Sequence, residues 1–125
     1  MLSFPPSPQV KILVCRKPLD MRKSFNGLAG AVIDIVDHDP QSGHVFVFFN
    51  RRRTMMKALV WEPSGYWIVS KRLDSGRFEI HEQAYEHGTR FEISSSDLAL
   101  ILDGIDLRGA RRRQARKEVN AILSS

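Results

Sequence analysis

Apolar and polar positions alternate along this chain with different periods, and the periods mark out its elements. Val10 to Cys15 (VKILVC) is rich in β-branched residues and predicts a first strand, closed by Pro18. From Met21 onward the apolar residues fall at Phe25, Leu28, Ala29, Val32, Ile33 and Val36. Steps of three and four predict an amphipathic helix, and Asp20 stands where a cap is expected. Gly27 and Gly30 lie inside that helix at a cost of about 1 kcal/mol each against alanine, which predicts close packing on a sheet. The polar cluster from Asp37 to Gly43 stops the helix. His44 to Phe49 then reads as a strand, apolar at every position after His44, as expected of a central, covered strand.

The second half repeats a strand period. Asn50 to Thr54 is a polar connection, and Met55 to Glu62 and Tyr66 to Leu73 predict a hairpin across Pro63-Ser64-Gly65. Asp74-Ser75-Gly76 turns the chain again, with Arg77 to Ile80 as a short further strand. Residues 81–93 read as a polar loop with a short strand at Arg90 to Ile93. Ser94 to Ser96 offer caps for a helix with an apolar face of Leu98, Ile101, Leu102 and Ile105, ending near Gly104. The expected fold is α+β, one small domain. It is an antiparallel meander of about four or five strands on the N-terminal amphipathic helix, followed by a C-terminal helix and an Arg-rich tail. The expected organisation is a Pro-rich extended arm at 1–9, the α+β domain at 10–106 and a basic tail at 107–125, helical or disordered.

Composition narrows the class. With 125 residues, 42% apolar and 26% charged, the chain is expected to form one globular domain. The longest apolar run, Val45 to Phe49, is far short of the roughly 18 residues a membrane span needs. Met1 to Pro8 has three prolines and no cationic stretch leading into an apolar one, so no signal peptide is expected. Cys15 is the only cysteine, which fits a reducing, cytoplasmic setting and a small buried hydrophobe better than a nucleophile.

Charge is unevenly spread. The total is +5, from 19 basic and 14 acidic side chains. Residues 10–77 carry 12 basic against 6 acidic, residues 78–106 one against seven, and residues 107–125 six against one. The body through residue 106 is therefore neutral, and the whole surplus belongs to the tail. Within the body the cations cluster: Arg51, Arg52 and Arg53 follow a buried strand directly, Lys57 lies on the next strand, and Lys71, Arg72 and Arg77 close the hairpin. An antiparallel hairpin returns its end to its start, so these residues are expected on one rim, where arginines suit phosphate contacts. Arg108, Arg111, Arg112, Arg113 and Arg116 form a second basic element in the tail; 108, 112 and 116 would share a helix face. Trp61, Tyr66 and Trp67 sit at the other end of the hairpin, where packing accounts for them and base stacking is the alternative.

Catalytic signatures are absent from the sequence. There is no Gly-x-Ser-x-Gly elbow and no phosphate-binding glycine motif. His81 and His87 are six apart, which suits no helical ligand pair, and His38 and His44 flank a turn with Asp37 and Asp39 that capping explains. No catalytic residue, metal or cofactor is expected.

Three pieces in order carry a resemblance: PLDMRKSFNGLAGAV, then DPQSGHVFVFFNRRRTMMKALVWEPSGYWIVSKRLDSGRFEI, then LILDGID. From about Val10 to Asp106 the chain resembles the accessory protein of the insertion sequence 66 family, called TnpB or the Orf2-like protein. Its motif positions here include Asp20, Arg22 and Lys23. The resemblance implies a bacterial mobile-element protein that acts beside a separate transposase, with no catalytic activity of its own. It is distinct from the longer RNA-guided nucleases of the same name. Binding roles for the arginines and lysines follow from charge, not from the resemblance. The expected partners are element DNA, the cognate transposase, or both. A protein-interaction adaptor without DNA contact and a metal-dependent nuclease are the alternatives, and no oligomeric state is favoured.

Overall fold

The computed structural model describes residues 9–80 and 88–103. Along the chain come β1 (Ile12–Cys15), α1 (Phe25–Ala31) continued by a π-helical turn (Val32–Val36), β2 (Val45–Phe49), β3 (Met55–Glu62), β4 (Gly65–Arg72), β5 (Arg90–Ile93) and α2 (Ser95–Leu102). The strands form one sheet in the order β4-β3-β2-β1-β5. The fold is α+β as expected, but the sheet is mixed and not an antiparallel meander. β1 pairs β2 in parallel, with Ile12 opposite Val45 and Val14 opposite Val47, whereas the other neighbours are antiparallel. The cause lies in the connection. A strand, a helix and a second strand make a crossover, and the crossover returns the chain in the direction it started.

Both faces of the sheet are covered. On one face Leu13, Cys15, Phe46, Phe48 and Leu59 meet Leu28, Ala31, Val32 and Val36 of the first helix. On the other, Val14, Val47, Phe49, Met56 and Phe91 meet Leu98 and Ile101 of α2, together with Phe78 and Ile80. Every residue of β2 is buried, which fits its place as the middle strand. Ser94 caps α2 by accepting a hydrogen bond from the Asp97 amide at 3.0 Å.

Several local expectations need correction. The first helix begins at Phe25 with Ser24 as its N-cap. Asp20 is engaged elsewhere, by Arg22. Ile33 and Phe25, both expected on the buried face, are 57% and 46% exposed. The buried stripe is Leu28, Ala31, Val32 and Val36, and the π-helical turn explains its course. In an α-helix Val36 would stand about 40° past Val32. The wider turn, in which the Asp37 amide bonds back to the Val32 carbonyl, keeps Val36 on the buried side with Leu28 and Val32. Arg77 to Ile80 is not a strand. It is tied to the β2–β3 loop, where the Phe78 amide donates to the Arg53 carbonyl at 2.7 Å, and it buries Phe78 and Ile80. Ile105, Gly104, the arm and the tail lie outside the described residues.

The helix glycines do not pack on the sheet. A Cβ at Gly27 would meet only the Lys23 side chain, 3.1 Å away at its nearest, and one at Gly30 would meet nothing within 4 Å. Gly30 has ordinary helical backbone, so its flexibility costs stability with no packing return. Gly30→Ala is expected to stabilise the fold by about 0.5–1 kcal/mol, read as a higher midpoint in chemical denaturation. An unchanged or lower midpoint would contradict open space at this position.

Candidate nucleic-acid interface

Parallel pairing of β1 and β2 puts the C-terminal ends of both strands at one end of the sheet. The start of β3, the end of β4 and the start of β5 share that end. The Leu19 amide donates to the Phe49 carbonyl at 3.0 Å, which holds the segment after β1 beside the end of β2. Arg16, Lys17, Arg22, Lys23, Arg51, Arg52, Arg53, Arg72, Arg77 and Arg90 are thereby gathered from distant parts of the chain.

The β2–β3 loop at this end is held by Asn50. Its Oδ1 accepts the amides of Thr54 at 2.9 Å and Met55 at 3.1 Å, and its Nδ2 donates to Thr54 Oγ1 at 3.0 Å. Its carbonyl accepts the Arg53 amide at 3.1 Å. These bonds hold Arg53 in the left-handed region at φ 56°. Asn50 thus fixes the loop that carries Arg51 and Arg52, whose side chains are exposed at its tip.

The cations divide by what they touch. Arg53 is half-buried and its Nη1 donates to the Ile80 carbonyl at 3.0 Å, so it fastens the segment after β4 to the loop. Lys57 reaches across the α1 face to the Lys23 carbonyl at 2.8 Å. Lys71 points to the opposite face, because neighbouring strand residues alternate, and bonds the Leu102 carbonyl at the end of α2 at 2.6 Å. There it satisfies a helix C-terminal acceptor and opposes the helix dipole. Arg22 is held by Asp20, with Nη2 2.6 Å from Oδ2, and this pairing lowers the Asp20 carboxyl to about 2. Arg51, Arg52, Arg72 and Arg77 are exposed and make no hydrogen bond or ion pair among the described residues.

The expected rim therefore splits. Arg51, Arg52, Arg72 and Arg77 come together at one end of the sheet, close by the Leu73 and Phe78 amides that bond the Thr54 and Arg53 carbonyls. Lys57 and Lys71 flank it on opposite faces and serve the fold. Arg108, Arg111, Arg112, Arg113 and Arg116 lie outside the described residues. Sequence reasoning passed over Arg16, Lys17 and Arg90. Arg16 stacks on Phe91, 4.9 Å from the ring centre, and Lys17 is exposed at the basic end. Arg90 Nη1 bonds the carbonyls of Val36 and Asp37 at 2.6 and 2.7 Å, closing the first helix. Reading β1, helix and β2 as a crossover would have placed Arg16 and Lys17 beside Arg51.

The remaining candidates are engaged within the fold. Trp61 and Tyr66 make an edge-on pair with ring centres 4.9 Å apart, and Trp67 Nε1 donates to Glu62 at 2.8 Å. His44 Nδ1 accepts the Lys11 amide and His38 Nδ1 the Asp39 amide, and burial pushes the His44 imidazole below its ordinary pKa. Among the described residues no three His, Cys, Asp or Glu converge, and no helix is long and apolar enough to cross a membrane. Cys15 is buried, and burial raises its thiol pKa.

The class defined here is a small mixed-sheet domain with uncommitted arginines at one end. The chain matches the family described as IS66 Orf2 like protein over residues 10–112, and it belongs to that family. It is 29% identical over 112 residues to the uncharacterized protein y4jC of Sinorhizobium fredii (strain NBRC 101917 / NGR234), covering 90% of this chain and 93% of that one. It is 33% identical over 105 residues to the uncharacterized protein y4hO of the same organism, covering 84% and 89%. No solved structure matches it.

The division between fastening and free cations can be measured. Arg53→Ala is expected to lower the unfolding free energy by about 1–3 kcal/mol, while Arg51→Ala and Arg52→Ala each stay within about 0.5 kcal/mol. Equal effects from all three would show that Arg53 does not fasten the loop.

Proposed function

We propose that this chain is a non-enzymatic accessory protein of DNA transposition whose basic end grips the phosphate backbone of element DNA. Membership of the IS66 Orf2-like family supports the link to transposition. The observation that carries DNA contact is the set Arg51, Arg52, Arg72 and Arg77, exposed and without a partner among the described residues, at one end of a sheet where Arg53, Lys71 and Arg90 are bound to backbone carbonyls. Arginine is suited to this task because its planar fork of donors matches two phosphate oxygens at once. Lys17 adds a fifth exposed charge at the same end.

Contacts of this kind position a protein on duplex DNA without reading its sequence. Base preference would come from elsewhere, and the transposase is the natural partner to supply it. The tail arginines, Arg108, Arg111, Arg112, Arg113 and Arg116, add to the electrostatic attraction in this reading.

The test is a salt series. Binding of the full chain to a duplex oligonucleotide is expected to weaken steeply with salt. The combined Arg51→Ala, Arg52→Ala, Arg72→Ala and Arg77→Ala variant should reduce the slope of log K against log salt by about 0.9 for each phosphate no longer neutralised, about 3.6 if each arginine holds one. Arg53 is kept in that variant so that a folding defect does not imitate a binding defect. A flat salt response in the wild type, or an unchanged slope in the variant, would sink the DNA reading.

A further inference from the structure

β4 is the outer strand of the sheet, and among the described residues β3 is its only strand neighbour. It runs for eight residues, Gly65 to Arg72. Its inward residues are identified by the Leu73 amide, which donates to the Thr54 carbonyl. Alternation then turns the amides and carbonyls of Gly65, Trp67, Val69 and Lys71 toward β3, and those of Tyr66, Ile68, Ser70 and Arg72 toward the open edge. Trp67 is 43% exposed, and Ser70, Lys71 and Arg72 are exposed as well. A long strand with unpaired backbone groups is a template for another strand.

Such edges are commonly blunted by charge, but here the charge is confined to one end. Lys71 and Arg72 close the strand, Tyr66 and Trp67 open it, and Ile68, Val69 and Ser70 between them are uncharged. That polarity is self-complementary under a two-fold axis perpendicular to the sheet. The axis keeps each face on its own side, so paired residues must have the same parity. Centring it on Val69 sets Ile68 opposite Ser70, Tyr66 opposite Arg72 and Trp67 opposite Lys71. The first two pairs are those with outward backbone groups, so the ladder closes with about eight hydrogen bonds. Both cations of each chain then stand against aromatic rings of the other.

We infer that the β4 edge is a self-association surface: a second copy of this chain pairs with it antiparallel about Val69, giving one continuous ten-stranded sheet. An arginine stacked on a tyrosine face keeps its N–H edge turned outward, so Arg72 remains able to meet phosphate. The inference stands independently of DNA binding, and its test contains no DNA.

Sedimentation of the full chain over a concentration series is expected to show a monomer–dimer equilibrium. Ser70→Pro removes one outward donor and no bond to β3, so it is tolerated in the monomer and should raise the dimer dissociation constant roughly tenfold or more. Val69→Cys should give a dimer under oxidising conditions that reductant dissolves, because facing non-hydrogen-bonded residues lie within disulfide reach. Trp67→Cys should not, being opposite Lys71. A chain that stays monomeric at sub-millimolar concentration overturns the inference. So does a dimer indifferent to Ser70→Pro, or one that cross-links as well through position 67 as through 69. If Ser70→Pro does not fold, the two cysteine variants decide the matter.

Discussion

Parallel pairing of β1 with β2 is the constraint on which the rest of this molecule depends. Two strands running the same way must be joined by a crossover over one face of the sheet, and the helix in that crossover packs its apolar side on the face it covers. Leu28, Ala31, Val32 and Val36 supply that side, and Phe46 and Phe48 receive it. The same pairing decides where charge collects. Segments leaving the C-terminal ends of β1 and β2 emerge together, so Arg16 and Lys17 stand near Arg51 and Arg52 although 34 or more residues separate them in sequence.

Bringing so many cations to one end would be unfavourable if each stayed bare, and the fold engages several of them through its own carbonyls. Lys71 and Arg90 sit at helix C-termini, where unsatisfied carbonyls and the negative end of the dipole coincide. Arg53 holds the Ile80 carbonyl and Lys57 the Lys23 carbonyl. In each case a cation spans two segments far apart in the chain, so these bonds act as cross-braces between elements. They also show why a tally of basic residues says little about a binding surface in this protein. Three of the seven residues expected on the rim, Arg53, Lys57 and Lys71, are structural.

Much of the fold was legible because its signals were local. The hairpin of β3 and β4, the turn at Pro63-Ser64 between them, the Ser94 cap and the Leu98–Ile101 face of α2 all follow from neighbours a few positions apart. What sequence reading missed needed longer-range information. The strand–helix–strand order implied a parallel pair, yet the antiparallel hairpin that followed was extended backwards over it. The π-helical turn was hidden because Ile33 fits an α-helical stripe as well as Val36 does, and only the packing of Val36 against the sheet distinguishes them. Charge drew attention to all of Arg51 to Arg53 alike, but Arg53 differs from its neighbours in backbone conformation, with φ 56°, and its side chain bonds the Ile80 carbonyl. Three identical residues in a row carry no sign of that.

Arg51, Arg52, Arg72 and Arg77 then stand out against the cations that the fold binds to its own carbonyls. Like charges within a Debye length of about 10 Å repel, and the repulsion is lost only as salt rises. Nothing in the packing requires Arg51, Arg52, Arg72 or Arg77: each is exposed, and the loop that carries the first two is held by Asn50 without their help. A position that contributes repulsion and no favourable bond is one where neutral side chains would stabilise the isolated domain. Proteins keep such costs where activity needs them. The same reasoning applies to the β4 edge, where an open ladder with Trp67 exposed is a liability for a lone domain. In both places the fold leaves open what it closes elsewhere: cations without a partner among the described residues at one end, and a strand with a single strand neighbour at the edge.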